Sequence, residues 1–237
     1  MNKAEYLRRR PDTTGPFKFM DDWARVPDSE LDQEAFKLYS RGATAYTDLP
    51  GVAQRGSKSE FLAFLRYDYK KILIRTRFLY VDRPLKPEQR NANDDIDLAY
   101  FEPVLLCFPC LEFVGRLAFS DNIQWSYKKK DFQTYRVLKD MLQAMERGYQ
   151  EHAHNLVDFH RNAVSHELRP DDIWSYTLKT ETEYQPPTQA NNGALLLDIP
   201  HFIDSTLMEI EKLCDRLTGT GADEVITKLR LYVSKRF

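Results

Sequence analysis

Hydrophobic and polar positions fall into blocks of different period along the chain. Over residues 60–79 the apolar side chains Phe61, Leu62, Phe64, Leu65, Ile72 and Leu79 recur at helical spacing, with basic residues between them. Ser57 or Ser59 stands where a cap belongs, and Pro84 and Pro87 close that helix. An acidic polar loop, residues 91–97, separates it from residues 99–119, which read as a buried helix with Pro103 in its first turn and a kink at Pro109. The longest pattern follows: Leu138, Leu142, Met145, Tyr149, Ala153, Leu156 and His160 keep three- and four-residue steps in one long helix from about residue 131. Pro170 stops whatever helix precedes it.

Residues 175–184 then alternate loosely, and residues 194–199 are an aliphatic run. Pro186, Pro187 and Asn191-Asn192-Gly193 lie between, so the two runs are expected to form a small hairpin. An amphipathic helix over residues 200–217 carries Phe202, Ile203, Leu207, Ile210 and Leu213 on one face. Gly219 to Gly221 ends it, and a terminal helix starts at Asp223. Residues 1–56 are punctuated by prolines and glycines, with one short helix capped near Ser29 and running to Tyr39. The expectation is an all-α fold, a bundle of about four to six helices with a small inserted β-hairpin. Residues 1–56 are its irregular N-terminal extension, packed on the bundle, and residues 57–237 its helical domain.

Composition changes this picture little: 42% hydrophobic, 30% charged, a net charge of −2 and few glycines describe a globular chain. The longest apolar region, residues 104–119, is broken by Pro109, Glu112 and Arg116, too short and too polar to cross a bilayer. The first ten residues hold three arginines with no apolar run behind them, unlike a secretory signal. Three cysteines argue for a reducing compartment over a disulfide scaffold, so a cytoplasmic location is expected. Residues 66–77 concentrate positive charge, with five basic residues and one acidic, a net of +4. Arg66, Lys70, Lys71, Arg75 and Arg77, with the separate cluster Lys128, Lys129 and Lys130, are candidate phosphate contacts despite the acidic total.

The chemistry points to Arg161-Asn162-Ala163-Val164-Ser165-His166. Cleavage of RNA by its own 2′-OH needs a group that takes or gives a proton near neutral pH, which histidine does. The transition state gains negative charge, which a guanidinium meets with two parallel donors. Asn162 can donate to the phosphate or orient the imidazole. On a straight helix Asn162 and His166 lie about 40° apart, but Arg161 and His166 about 140° apart. A break in the helix, a curled Arg161 or a second protomer must therefore bring the pair together.

The motif resembles that of the HEPN superfamily, an Arg followed by four to six residues and a His, with a polar residue often next to the Arg. The preceding amphipathic pattern, and Glu112 and Arg116 in the earlier apolar helix, extend the resemblance over residues 60–217. It implies a metal-independent endoribonuclease without a cofactor, working as a homodimer whose two motifs face each other. Arg161, Asn162 and His166 are its catalytic residues, and Glu112 and Arg116 secondary candidates. It further implies RNA as substrate, a role in toxin–antitoxin or antiviral defence or in RNA processing, and an antitoxin or regulatory protein as partner. The superfamily also contains non-catalytic members, so a helical module that binds a partner protein or a nucleotide is the alternative.

Other patterns carry less. Cys107-Phe108-Pro109-Cys110 has redox spacing, but in an apolar helix it reads as two buried thiols. His152 and His154 are two apart and cannot share a metal on one helix. His166-Glu167 lacks the second His of a metalloprotease helix, and residues 218–221 lack the Lys of a phosphate loop.

Overall fold

The computed structural model describes residues 29–40, 48–77, 101–119, 130–158, 174–177, 187–189 and 195–236. Its elements in chain order are α1 (Glu30–Ser40), α2 (Leu49–Arg55), α3 (Lys58–Ala63), a π-helical turn (Phe64–Tyr69) and α4 (Lys70–Arg77). There follow α5 (Phe101–Phe119), α6 (Lys130–Ala144), α7 (Arg147–Glu151), α8 (Ala153–Asp158), β1 (Trp174–Thr177), β2 (Thr188–Gln189), β3 (Leu195–Asp198), α9 (Ile199–Thr218) and α10 (Ala222–Arg236). The described residues are mostly helical, as the pattern predicts. They gather into two compact units, Met1–Arg75 with Arg116–Trp125 and Leu207–Phe237, and Thr76–Gly115 with Ser126–Thr206.

In the first unit, short polar side chains start the helices. Ser29 Oγ accepts the Asp32 amide at 3.1 Å, and Ser57 Oγ accepts the Glu60 amide at 3.3 Å, each satisfying a donor that a helix start leaves open. Asp48 does the same for Gly51, and α2 ends on Gly56 at φ 67°, a left-handed conformation that a side chain would strain. The short helix expected from Ser29 to Tyr39 is α1, while residues 49–55, in the region expected to be irregular, are helical as well. Phe61, Leu62, Leu65 and Leu73 are fully buried, with Ile210, Leu213, Val225 and Leu229. Arg230 Nε donates to the Ala53 carbonyl at 2.9 Å, tying α10 to the end of α2.

In the second unit, α5 runs through Pro109 as one helix and buries Cys107, Phe108, Leu111 and Val114. Gly115 permits a close approach: a Cβ there would stand 2.4 Å from Met141 Cγ and 2.8 Å from Val137 Cγ1 on α6. The single long helix expected from residue 131 is three pieces, α6, α7 and α8, interrupted at Met145–Glu146 and at His152. Glu146 is extended (φ −69°, ψ 156°) and its carboxylate reaches His201, while Gly148 lowers the helix propensity just after the break.

The strands also differ from expectation. β1 and β3 pair in parallel, Trp174 opposite Leu195 through Thr177 opposite Asp198, so they are not the two arms of a hairpin. The antiparallel pair is β2 with β3, in a sheet ordered β1-β3-β2. The Asn191-Asn192-Gly193 signal lies outside the described residues, within the five-residue connection of that antiparallel pair. α9 begins straight after β3, with Asp198 Oδ1 accepting the His201 amide at 2.9 Å.

Candidate functional site

The motif residues Arg161, Asn162 and His166 lie outside the described residues, as do Lys128 and Lys129; Lys130 opens α6, its side chain outside them. The helical pieces α6 to α8 lead toward the motif and end at Asp158, three residues before Arg161. On α5, Glu112 is half-buried and Arg116 buried. Arg116 does not reach solvent as a phosphate contact would.

The basic stretch of residues 66–77 splits into two sets. Arg66, Lys70 and Arg77 turn inward. Arg66 Nη1 lies 3.0 Å from Asp32 Oδ1, and Lys70, without exposed surface, contacts the Glu211 carboxylate. Arg77 forms a two-pronged pair with Asp204, Nε to Oδ1 at 2.7 Å and Nη2 to Oδ2 at 3.3 Å, with both groups buried. Lys71 and Arg75 remain exposed. Three of the five expected RNA contacts in this stretch are therefore inward-turned ion-pair partners, Lys70 and Arg77 buried and Arg66 half-buried. The reason is phase: positions 70, 73, 74 and 77 share one face of α4, so Lys70 and Arg77 follow Leu73 and Ile74 inward. The wider π turn just before α4, whose last bond runs from the Lys70 amide to the Leu65 carbonyl, resets that phase.

Burial sets the electrostatics. It draws the Lys70 ammonium down to about 7; Arg66 adds to the fall, while Cys214, Asp215 and Asp32 oppose it. Burial likewise holds the Tyr67 phenol up at about 12 and raises the Cys214 thiol against Lys70 and Arg66. Cys107 is pushed well up by burial, with a hydrogen bond to Thr206 acting against it. Cys107 and Cys110 are both free and buried, which matches the inert reading of the C-x-x-C spacing.

A second polar cluster, around His201 in the second unit, was not singled out from the sequence. Tyr149 Oη lies 2.6 Å from His201 Nδ1, Ser205 Oγ 3.4 Å from the same nitrogen, and Glu146 Oε2 3.2 Å from Nε2. A carboxylate only accepts, so in the neutral ring Nε2 carries the proton and Nδ1 accepts from the Tyr149 hydroxyl. His201, Tyr149 and Ser205 are buried, and burial pushes the phenol well up. The cluster joins the break before α7 to the start of α9, satisfying polar groups that would otherwise be stranded. A histidine inside the apolar face of residues 200–217 was the available signal.

Among the described residues no group of three or more His, Cys, Asp or Glu converges as a metal site would require. No helix among them is long and apolar enough to cross a membrane. No family model, curated protein or solved structure matches the chain. The assignment of activity therefore rests on the residues themselves.

Proposed function

We propose that the chain is a metal-independent endoribonuclease of the HEPN type, acting as a homodimer. His166 moves the proton of the attacking 2′-OH or of the departing 5′-oxygen. Arg161 meets the charge that develops on the phosphate, and Asn162 orients the ring or donates to a phosphate oxygen. The observation that carries the reading is the Arg161-Asn162-x3-His166 spacing, beginning three residues after a run of helix that ends at Asp158. The product is a 2′,3′-cyclic phosphate, because the nucleophile belongs to the substrate. By resemblance, the biological setting is toxin–antitoxin or antiviral defence.

One observation favours a second reading, a non-catalytic helical module that binds a partner protein or a nucleotide. The inward pairing of Arg66, Lys70 and Arg77 removes much of the surface that an RNA would use. Purified protein incubated with mixed RNAs in EDTA separates the two. The ribonuclease cleaves there, and His166→Ala lowers turnover by roughly 10²–10⁴-fold with little change in RNA affinity. Arg161→Lys fails to restore the rate of Arg161→Ala, because an ammonium lacks the paired donors. Equal turnover in wild type and His166→Ala leaves the motif as architecture and selects the second reading.

A further inference from the structure

We infer that Tyr39, Lys71 and Arg75 form a binding strip for single-stranded RNA, one base on the Tyr39 ring and the backbone phosphates on the two cations. The choice of RNA over another polyanion rests on the ribonuclease reading; the strip itself rests on geometry within the first unit.

Tyr67, Lys71 and Arg75 recur at four-residue steps. Lys71 and Arg75, both on α4, therefore share a face and stand about 6 Å apart along the axis. The Tyr39 ring, half-exposed on α1, stacks on Tyr67 with centroids 4.8 Å apart and planes at 23°. Tyr67 is buried and is braced edge-on by Phe36 at 5.9 Å, so the ring beneath Tyr39 is fixed. Lys71 Nζ lies over the Tyr39 ring, 6.0 Å from its centroid, so cation and platform adjoin and a base stacking on Tyr39 meets the ammonium directly.

What distinguishes these cations is what they lack. Arg66, Lys70 and Arg77 are each paired with a carboxylate, whereas the side chains of Lys71 and Arg75, both exposed, make no ion pair or hydrogen bond with a described residue. The one acid close in sequence, Asp68, is half-buried, and burial raises its carboxyl while Lys71 opposes the rise. Cations along a backbone track beside an aromatic face are the two parts of sequence-tolerant single-strand binding. A duplex offers no free base face to stack, so a single strand is preferred.

The test uses the full chain carrying His166→Ala, so that RNA stays intact, and a fluorescein-labelled oligouridine followed by anisotropy. Lys71→Ala with Arg75→Ala weakens binding and lowers the slope of log affinity against log salt by about 1.4, from about 0.7 per phosphate contact. Tyr39→Leu, which keeps apolar packing on Tyr67, weakens binding about ten-fold or more, and Tyr39→Phe does not. A duplex of equal length binds more weakly than the single strand. Unchanged affinity and salt slope in the double cation variant overturn the strip. So does a poly-glutamate peptide that binds as well as the oligonucleotide and is equally insensitive to Tyr39→Leu, since the face then takes any acidic partner. Cleavage of RNA by wild type, with these variants neutral, overturns the strip and leaves the ribonuclease standing. Weakened binding in these variants, with His166→Ala cleaving as wild type does, supports the strip and removes the ribonuclease mechanism built on His166.

Discussion

Lys70 offers the sharpest test of how the first unit is built. Its side chain has no exposed surface, and burial draws the ammonium from an ordinary value of 10.5 down to about 7. In the unfolded chain the lysine titrates normally. Between those values the unfolded state therefore holds a proton that the folded state has released. Stability then rises with pH, by up to about 1.4 kcal/mol per unit. Integrating over the partly titrated interval from pH 7 to 8.5, about 1–2 kcal/mol of stability is gained from this one group. The interval stops there because Tyr67, Cys107 and Cys214 have raised values, so the unfolded chain loses their protons first and stability falls again at higher pH. Lys70→Met keeps the length of the side chain and removes the charge. Glu211, with a fifth of its side chain exposed, retains contact with water, so its charge is not stranded. Urea unfolding of both proteins at pH 7, 7.5, 8 and 8.5 should show wild type gaining about 1–2 kcal/mol relative to the variant. Parallel curves, or a gain in the opposite direction, would mean that the Glu211 contact outweighs burial and that the lysine stays charged.

Three further outcomes follow from the same kind of reasoning. Asp204→Ala strands the buried Arg77 guanidinium and should cost about 3–5 kcal/mol in urea unfolding, while Arg77→Met with Asp204→Leu should recover most of it; equal loss in both proteins would contradict this. Gly115→Ala should destabilise the chain, because the new methyl meets Met141 and Val137 at a cost of about 1–3 kcal/mol against a helix-propensity gain of at most about 1 kcal/mol. A double-mutant cycle with Met141→Ala should then show coupling, and strict additivity would refute the contact. Light scattering at micromolar concentration should give the mass of a dimer; a monomer there would remove the partner that is expected to complete the Arg161–His166 pair.

Much of the helical layout was legible because it depends on local chemistry. Ser29 and Ser57 each precede an amide that their hydroxyl can accept, so two helix starts could be read from short polar side chains alone. Phe202, Ile203, Leu207, Ile210 and Leu213 recur on one face, and all five are buried. The strands were legible as strands but not as partners. Alternation and turn residues say that β1 and β3 are extended, but nothing in either segment states which neighbour it pairs with or in which direction. The break at Glu146 was hidden for a related reason: the apolar steps continue across it, and the carboxylate that holds it finds His201 fifty-five residues away.

The basic stretch shows where a charge count stops being informative. Five cations in twelve residues suggest a phosphate surface only if they face water, and direction is set by phase against the apolar positions. Lys70 stands three and four residues before Leu73 and Ile74, and Arg77 stands three and four after the same pair, so the spacing to buried neighbours carried the direction. Apolar residues on both sides of residues 61–74 obscured it, and the π turn altered the phase between its two ends. The carboxylates that make burial tolerable, Asp32, Glu211 and Asp204, come from α1 and α9, remote in sequence. A lysine or arginine seven residues from another across a buried aliphatic pair is therefore better read as one half of an ion pair than as a ligand contact. By that criterion the remaining positive charge on this helix is Lys71 and Arg75, the two cations left facing solvent beside an aromatic ring.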